Sequence, residues 1–318
     1  MQKTEFTFDS RDGESKLHAV RYEPDKEHLK AGKPVGILQI VHGMAEYVER
    51  YEETARFFVE RGFVVTGEDH LGHGRSVAEG GVYGYFCKHD PATVVVRDVH
   101  RLKKMTQALY PGVPYFILGH SMGSFILRNY MFRYGTGIQG AVVMGTGVQP
   151  PALLAMAKAV ATMQKLFCGG KHASNLINIL AFGGYNSRIE NPKTRMDWLS
   201  RNEENVAAYN ADPLCGFTFT INGFQTVFEL ISRAQAPENL KQIPQNLPVL
   251  FVAGDEDPVG DYGEGVKRVY GFLEEAGLRH LDLKLYEGGR HEILNEKNAA
   301  AVRQYIYDWI LPLVGEMS

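Results

Sequence analysis

The pentapeptide Gly119-His120-Ser121-Met122-Gly123 sets one hydroxyl between two glycines. A serine hydroxyl is a weak nucleophile by itself. It attacks a carbonyl carbon only when a base takes its proton and a third group orients that base. The surrounding pattern suits such a role. An apolar run at residues 115–118 leads into the motif, and a helical pattern at 125–134 follows it. A strand–turn–helix with serine at its apex is a nucleophile elbow, whose turn is too tight for side chains at either flank.

In this arrangement the partners follow in the order Ser, then Asp or Glu, then His. His291 comes just after the last strand pattern, residues 281–286, and is the only one of eleven histidines so placed. Four acids, Asp255, Glu256, Asp257 and Asp261, follow the apolar run 249–253. All four lie past the carboxyl end of a strand, where open α/β sheets build their sites. Residue type alone leaves the four open. Acyl transfer also needs N–H donors aimed at the developing oxyanion. The expected donors are the backbone amides of Met122, after the nucleophile, and of Met44, in the loop after run 35–41. His42 is expected to hold that loop rather than to react.

Positioning these groups requires a sheet. Apolar runs at 35–41, 63–65, 115–118, 141–144 and 249–253 read as parallel strands buried on both faces. Helical patterns lie between them: around 51–62, 91–110, 125–134 and 264–276, with a last one at 297–310. Asp90-Pro91 is a strong helix start. Phe6 and Phe8, and Leu281, Leu283 and Leu285, alternate with polar residues as half-exposed edge strands do. The reading is a doubly wound α/β sheet. Residues 149–248 break the alternation with helical stretches at 151–167, 175–181, 192–201 and 224–234. The expected organisation is therefore a core of residues 1–148 and 249–318, with a helical cap inserted at 149–248.

Several classes fall away. With 318 residues, 44% hydrophobic and 22% charged, the chain is an ordinary globule. A net charge of −3 offers no basic footprint for nucleic acid. Cys87, Cys168 and Cys215 lack CxxC spacing, so neither a disulfide framework nor a zinc site is expected. No leader-like apolar segment is visible, and a cytoplasmic location is expected. Gly135-Thr136-Gly137-Ile138-Gln139-Gly140 matches a dinucleotide fingerprint, but it follows a helix and precedes a strand, the reverse of the required order. No metal and no cofactor are expected.

Three stretches together resemble a known group: Ile40-Val41-His42-Gly43-Met44-Ala45-Glu46, residues 67–76 (Gly-Glu-Asp-His-Leu-Gly-His-Gly-Arg-Ser), and Gly119-His120-Ser121-Met122-Gly123. They are similar to serine α/β-hydrolases of the monoacylglycerol lipase and lysophospholipase type. The resemblance spans roughly residues 20–148 and 245–312. It implies the α/β-hydrolase fold, with Ser121 as nucleophile, His291 as base and Asp257, third after Gly254, as acid. It places the oxyanion amides on Met44 and Met122. Met44 and Tyr47 depart from the group's usual small residue and histidine, which bears on the shape of the acyl pocket.

The implied substrate is a single-chain acyl ester, held under the cap. Leu153, Leu154, Met156, Ala157, Val160, Met163 and Phe167 are read as one broad apolar face, with Phe217, Phe219, Phe224 and Phe228 adding aromatics. Met156, Phe217, Phe219 and Val259 are the expected substrate contacts, and the cap is also a candidate for transient contact with a lipid surface. Two rivals remain: an amidase or aminopeptidase on the same fold, and a ligand receptor with little turnover.

Overall fold

A computed structural model describes residues 1–315. Eight strands form one sheet in the order β1-β2-β4-β3-β5-β6-β7-β8. They are β1 (Gln2–Asp9), β2 (Lys16–Glu23), β3 (Gly36–Val41), β4 (Phe63–Glu68), β5 (Tyr115–His120), β6 (Gly140–Met144), β7 (Val249–Gly254) and β8 (Leu281–Tyr286). From β4 to β8 every pairing is parallel, and β1 and β2 add an antiparallel margin.

Every residue of β3, β4, β5 and β7 is buried, as strands covered on both faces must be. Alternate residues feed two cores. Tyr115 and Ile117 join the packing of α2 (Pro91–Leu109), α3 (Met122–Tyr134) and α9 (Glu264–Glu275). Phe116 and Leu118 join that of α1 (Glu52–Val59) and α10 (Ala299–Gly315) on the opposite face. Helix α2 starts as its sequence demands, with Pro91 in the first turn and the Asp90 carboxylate accepting the Thr93 amide at 3.4 Å.

The connection from β6 to β7 carries five helices: α4 (Pro151–Cys168), α5 (Asn175–Phe182), α6 (Glu203–Ala211), α7 (Ile221–Ala234) and α8 (Pro237–Leu240). The helix expected over 192–201 does not form. Only a single 3-10 turn, Asp197–Leu199, is present there. The Asp197 carboxylate takes the amides of Lys193 and Thr194, at 2.6 and 3.1 Å. The carbonyls of Asp197 and Leu199 accept from Arg290 and the Glu292 amide, at 2.8 and 2.7 Å. Bonds to the loop after β8 have replaced a helical ladder. Among the described residues, no helix is long and apolar enough to cross a membrane.

Candidate active site

The carboxyl ends of β3, β5, β6 and β7 lie side by side, with Val41 against Gly119 and Met144 against both His120 and Val252. The loops that carry the expected site residues emerge from this one edge. Ser121 joins β5 to α3 with φ 53° and ψ −120°. A non-glycine residue in that region costs on the order of 1–3 kcal/mol and persists only where its surroundings impose it. Here they do: the Ser121 amide donates to the Met144 carbonyl at 3.0 Å, and its carbonyl accepts from the Ser124 amide at 2.8 Å. Both flanking glycines are sterically required. A Cβ on Gly123 would stand 1.9 Å from the Val41 carbonyl oxygen, and one on Gly119 would stand 2.4 Å from that of Gly123.

His291 follows β8, and its Nδ1 lies 2.9 Å from Asp257 Oδ2. Asp257 is wholly buried, and its other oxygen accepts the Val259 amide at 2.9 Å. With both oxygens engaged, the carboxylate is fixed in one orientation and favours the Nδ1–H tautomer, leaving Nε2 free to act as a base. The other three acids have different employment. Asp255 accepts the Gly288 amide at 2.6 Å, Glu256 lies 3.8 Å from Arg290, and Asp261 pairs with Arg268 at the surface.

Met122 is the first residue of α3 and Met44 lies in the loop after β3. Among the described residues, neither amide donates a hydrogen bond within the protein. Met122 adds the favourable potential of a helix N-terminus. His42 braces the Met44 loop from beneath: its Nδ1 donates to the Gly43 carbonyl at 2.8 Å and its Nε2 accepts the His70 amide at 3.0 Å. Burial holds this imidazole below its ordinary range, which keeps it neutral as those two bonds require.

Ser121, His291, Met44 and Met122 all line one cavity of about 890 Å³. Its roof and walls come largely from the β6–β7 connection. Leu154, Val160, Phe224, Phe228 and Ile231 make an apolar wall, while Tyr185, Asn186, Arg195 and Trp198 make a more polar one. The Trp198 ring lies 5.1 Å from the His291 ring, which puts the polar wall on the histidine's side.

Of the expected contacts, Met156, Phe217 and Val259 reach the cavity. Phe219 does not. Its ring is fully buried below the wall, packed on His73, Phe86, Phe217 and Phe224, and it serves as core. Met163 and Phe167 turn outward, 56% and 82% exposed, so the single face read along α4 splits in two. Tyr185 and Tyr209 escaped sequence reasoning because no period was read in the stretches that hold them, and Trp198 because it fell in a stretch read as helix with no link to the site. The one available signal was that Trp198 is among only two tryptophans in the chain.

A family model described as Hydrolase_4, serine aminopeptidase S33, matches residues 32–298. The monoglyceride lipase of Homo sapiens is 30% identical over 271 residues, 83% of this chain and 78% of that protein. The monoacylglycerol lipase of Mycolicibacterium smegmatis is 30% identical over 287 residues, covering 87% and 89%. A solved structure of a thermostable carboxyl esterase from Bacillus coagulans, in complex with glycerol, superposes with a TM-score of 0.90 at 33% identity, over 99% of both chains.

Proposed function

The chain belongs to the serine aminopeptidase S33 (Hydrolase_4) family and is a carboxylic ester hydrolase, and on that premise we propose that it cleaves single-chain acyl esters through Ser121, His291 and Asp257. The observation that carries the reading is the His291–Asp257 pair, 2.9 Å apart, sharing one predominantly apolar cavity with the strained Ser121. His291 Nε2 takes the Ser121 proton as Oγ bonds to the ester carbonyl carbon. The amides of Met44 and Met122 receive the resulting oxyanion. The tetrahedral intermediate collapses, the C–O bond to the alcohol breaks, and His291 returns its proton to the leaving oxygen. Water then attacks the acyl-serine, His291 takes the water's proton, and the carboxylic acid departs as Ser121 Oγ is reprotonated.

This sequence also orients the substrate. The leaving oxygen must meet His291, so the alcohol lies along the Trp198–Asn186 wall. The acyl chain then runs along the apolar wall of α4 and α7. Residues 149–248 act as the cap that supplies both. A monoacylglycerol or a lysophospholipid fits this division into one alkyl arm and one polar arm, and the first is the substrate named for the lipases that the chain is similar to. The outward apolar side chains of α4 and α5 suit transient contact with a lipid surface.

Aminopeptidase chemistry has less support. Holding a free substrate amine needs an uncommitted carboxylate, and the two acids that line the cavity, Glu46 and Glu292, are both paired to Arg50, at 2.7 and 2.8 Å. The test is Ser121→Ala assayed on monoacylglycerols, lysophospholipids, p-nitrophenyl esters and aminoacyl anilides. We expect ester turnover to fall by roughly 10⁴-fold or more and fluorophosphonate labelling to vanish. Retention of a tenth of the wild-type rate overturns the assignment.

A further inference from the structure

Glu46 lies in the loop after β3 and is almost wholly buried. Its Oε1 accepts the Gly43 amide at 2.6 Å and the Tyr51 hydroxyl at 2.8 Å, and lies 3.2 Å from His120 Nδ1. Its Oε2 accepts from Arg50 at 2.7 Å, and Arg50 in turn forks onto Glu292, next to His291 in sequence, at 2.8 and 2.9 Å. On the far side of the imidazole, His120 Nε2 lies 3.2 Å from the His291 carbonyl oxygen.

The proton count follows from those partners. A carbonyl oxygen only accepts, so His120 Nε2 carries a hydrogen. With the Tyr51 hydroxyl donating to Glu46, Nδ1, 2.8 Å from the Tyr51 oxygen and facing Glu46, needs a hydrogen of its own. A proton on each nitrogen satisfies every contact and makes His120 the imidazolium partner of Glu46. Burial opposes this charge, but the Glu46 carboxylate outweighs burial and raises the imidazole above its ordinary range. Burial likewise favours a neutral Glu46, yet His120 and Arg50 hold it ionised.

We propose that Glu46 and His120 are positioning residues, a buried ion pair that ties the oxyanion loop, through the Gly43 amide, to the base loop, through the His291 carbonyl. The pair rests on the serine-hydrolase reading above and adds a coupling to it. Three segments distant in sequence must hold the donors of Met44 and Met122 at a fixed place relative to the His291 ring. The residue before the nucleophile joins them, because His120 immediately precedes Ser121. Misplacement by about 1 Å can cost about 100-fold in rate without touching the reacting groups. A shifted base loop lowers turnover more than ground-state binding, since the alkyl wall that holds the substrate lies elsewhere.

The test combines Glu46→Gln, which removes the charge and keeps one acceptor, with His120→Phe, which keeps the ring volume and removes both bonds. Each variant is expected to lower kcat by about 10- to 100-fold with KM within about threefold of wild type. The double variant falls no more than about twofold below the worse single one, because both break the same link. Fluorophosphonate still labels Ser121 in all of them, and Leu102→Ala, in α2 on the opposite face of the sheet, controls for lost stability with unchanged kcat. Should either variant fail to fold, Tyr51→Phe deletes only one hydroxyl of the pair and lowers kcat about threefold. Wild-type kcat in the folded variants, a loss carried by KM, or additive losses in the double variant each overturn the proposal. Absence of labelling in the wild-type protein overturns instead the reading of Ser121 on which it rests.

Discussion

Helices α7 and α4 belong to the same connection, run against each other, and share the wall of one cavity, yet they are held in opposite ways. Eight of the fourteen residues of α7 are buried, against two of eighteen in α4. Helix α7 is stitched to the core by side chains. Asn222 accepts the Phe86 amide at 3.0 Å and donates to the Cys87 carbonyl at 2.9 Å. From α3, Asn129 donates to the Leu230 carbonyl at 2.8 Å and Arg128 to that of Ala234 at 3.1 Å. Helix α4 instead rests on α7 through Leu154, Ala161 and the Lys158–Glu229 pair, while Leu166 and Phe167 stand 75% and 82% exposed. Helix α5 has one buried residue of eight and leaves Ile179 and Leu180 in solvent. One half of the β6–β7 connection is thus fastened to α3 and the core, and the other is a roof with little to hold it down. Local opening free energy follows buried contacts, so α4 and α5 should open more readily than α7.

The sharpest way to break this contrast is to truncate the same residue type on each side. Phe224 in α7 is 1% exposed and packs on Phe219 and Phe228. Phe224→Ala should cost about 3–5 kcal/mol, read as a lower urea midpoint. A loss under about 1 kcal/mol would mean that α7 is no more fixed than α4. Asn222→Ala comes next, because it strands a buried amide and a buried carbonyl together. It should cost about 3 kcal/mol, and near-neutrality would show that the stitching to residues 86–87 carries no weight.

The difference between the halves also marks what was legible in the sequence. The five inner strands were readable because their burial on both faces demands unbroken apolar runs. The extensions Thr66-Gly67-Glu68 and Gly119-His120 were not, since their residues are not large and apolar, although the fold buries all of them. Strand β2 was missed because His18 and Arg21 interrupt its pattern. In the fold each is matched, His18 to Asp69 at 3.0 Å and Arg21 to Glu23 at 3.1 Å. Helix α6 was missed because its apolar residues mark no face. Ser121 and His291 stood out through local pattern, but the choice of Asp257 among four acids needed the resemblance, and in the fold Asp257 lies 2.9 Å from His291. The Glu46–Arg50–Glu292 cluster had no signal at all, since Arg50 and Glu292 are 242 positions apart.

The fastened region also carries an ionisable cost that the roof lacks. Asp98 in α2 is buried, and among the described residues its only hydrogen-bond partners are the Ser10 hydroxyl at 2.8 Å and the Arg11 amide at 2.6 Å. Burial pushes its carboxyl up to about 7, and Glu68 nearby is pushed to about 8 for the same reason. A folded-state value raised above the unfolded one means that the stabilising proton is fully bound below about pH 4. That stability is lost as the pH rises through about 7. Between pH 5 and pH 8 the wild-type protein should therefore lose about 2 kcal/mol more stability than Asp98→Asn, measured as the difference of their urea midpoints. Parallel losses would show that Asp98 is ionised throughout. No buried acid or base sits in α4 or α5, so their substitutions should show no such pH dependence.

The smallest expected effect on stability is the most informative about use. Phe167→Ser and Leu166→Ser remove large apolar surface from solvent and from no packed neighbour, so the urea midpoint should move by less than about 0.5 kcal/mol. Exposed apolar side chains clustered on a loosely held roof need another reason to be there, and an acyl ester is most abundant where lipid is aggregated. With a short p-nitrophenyl ester below its critical micelle concentration, the double variant should turn over at the wild-type rate. With a long-chain monoacylglycerol in micelles or vesicles, the rate at low lipid should fall about threefold or more, because those residues no longer contribute buried area at the surface. Equal rates on both forms would leave the outward face of α4 without a role in substrate capture. Equal losses on both would place Leu166 and Phe167 with the residues that shape the cavity, against the geometry that turns them away from it.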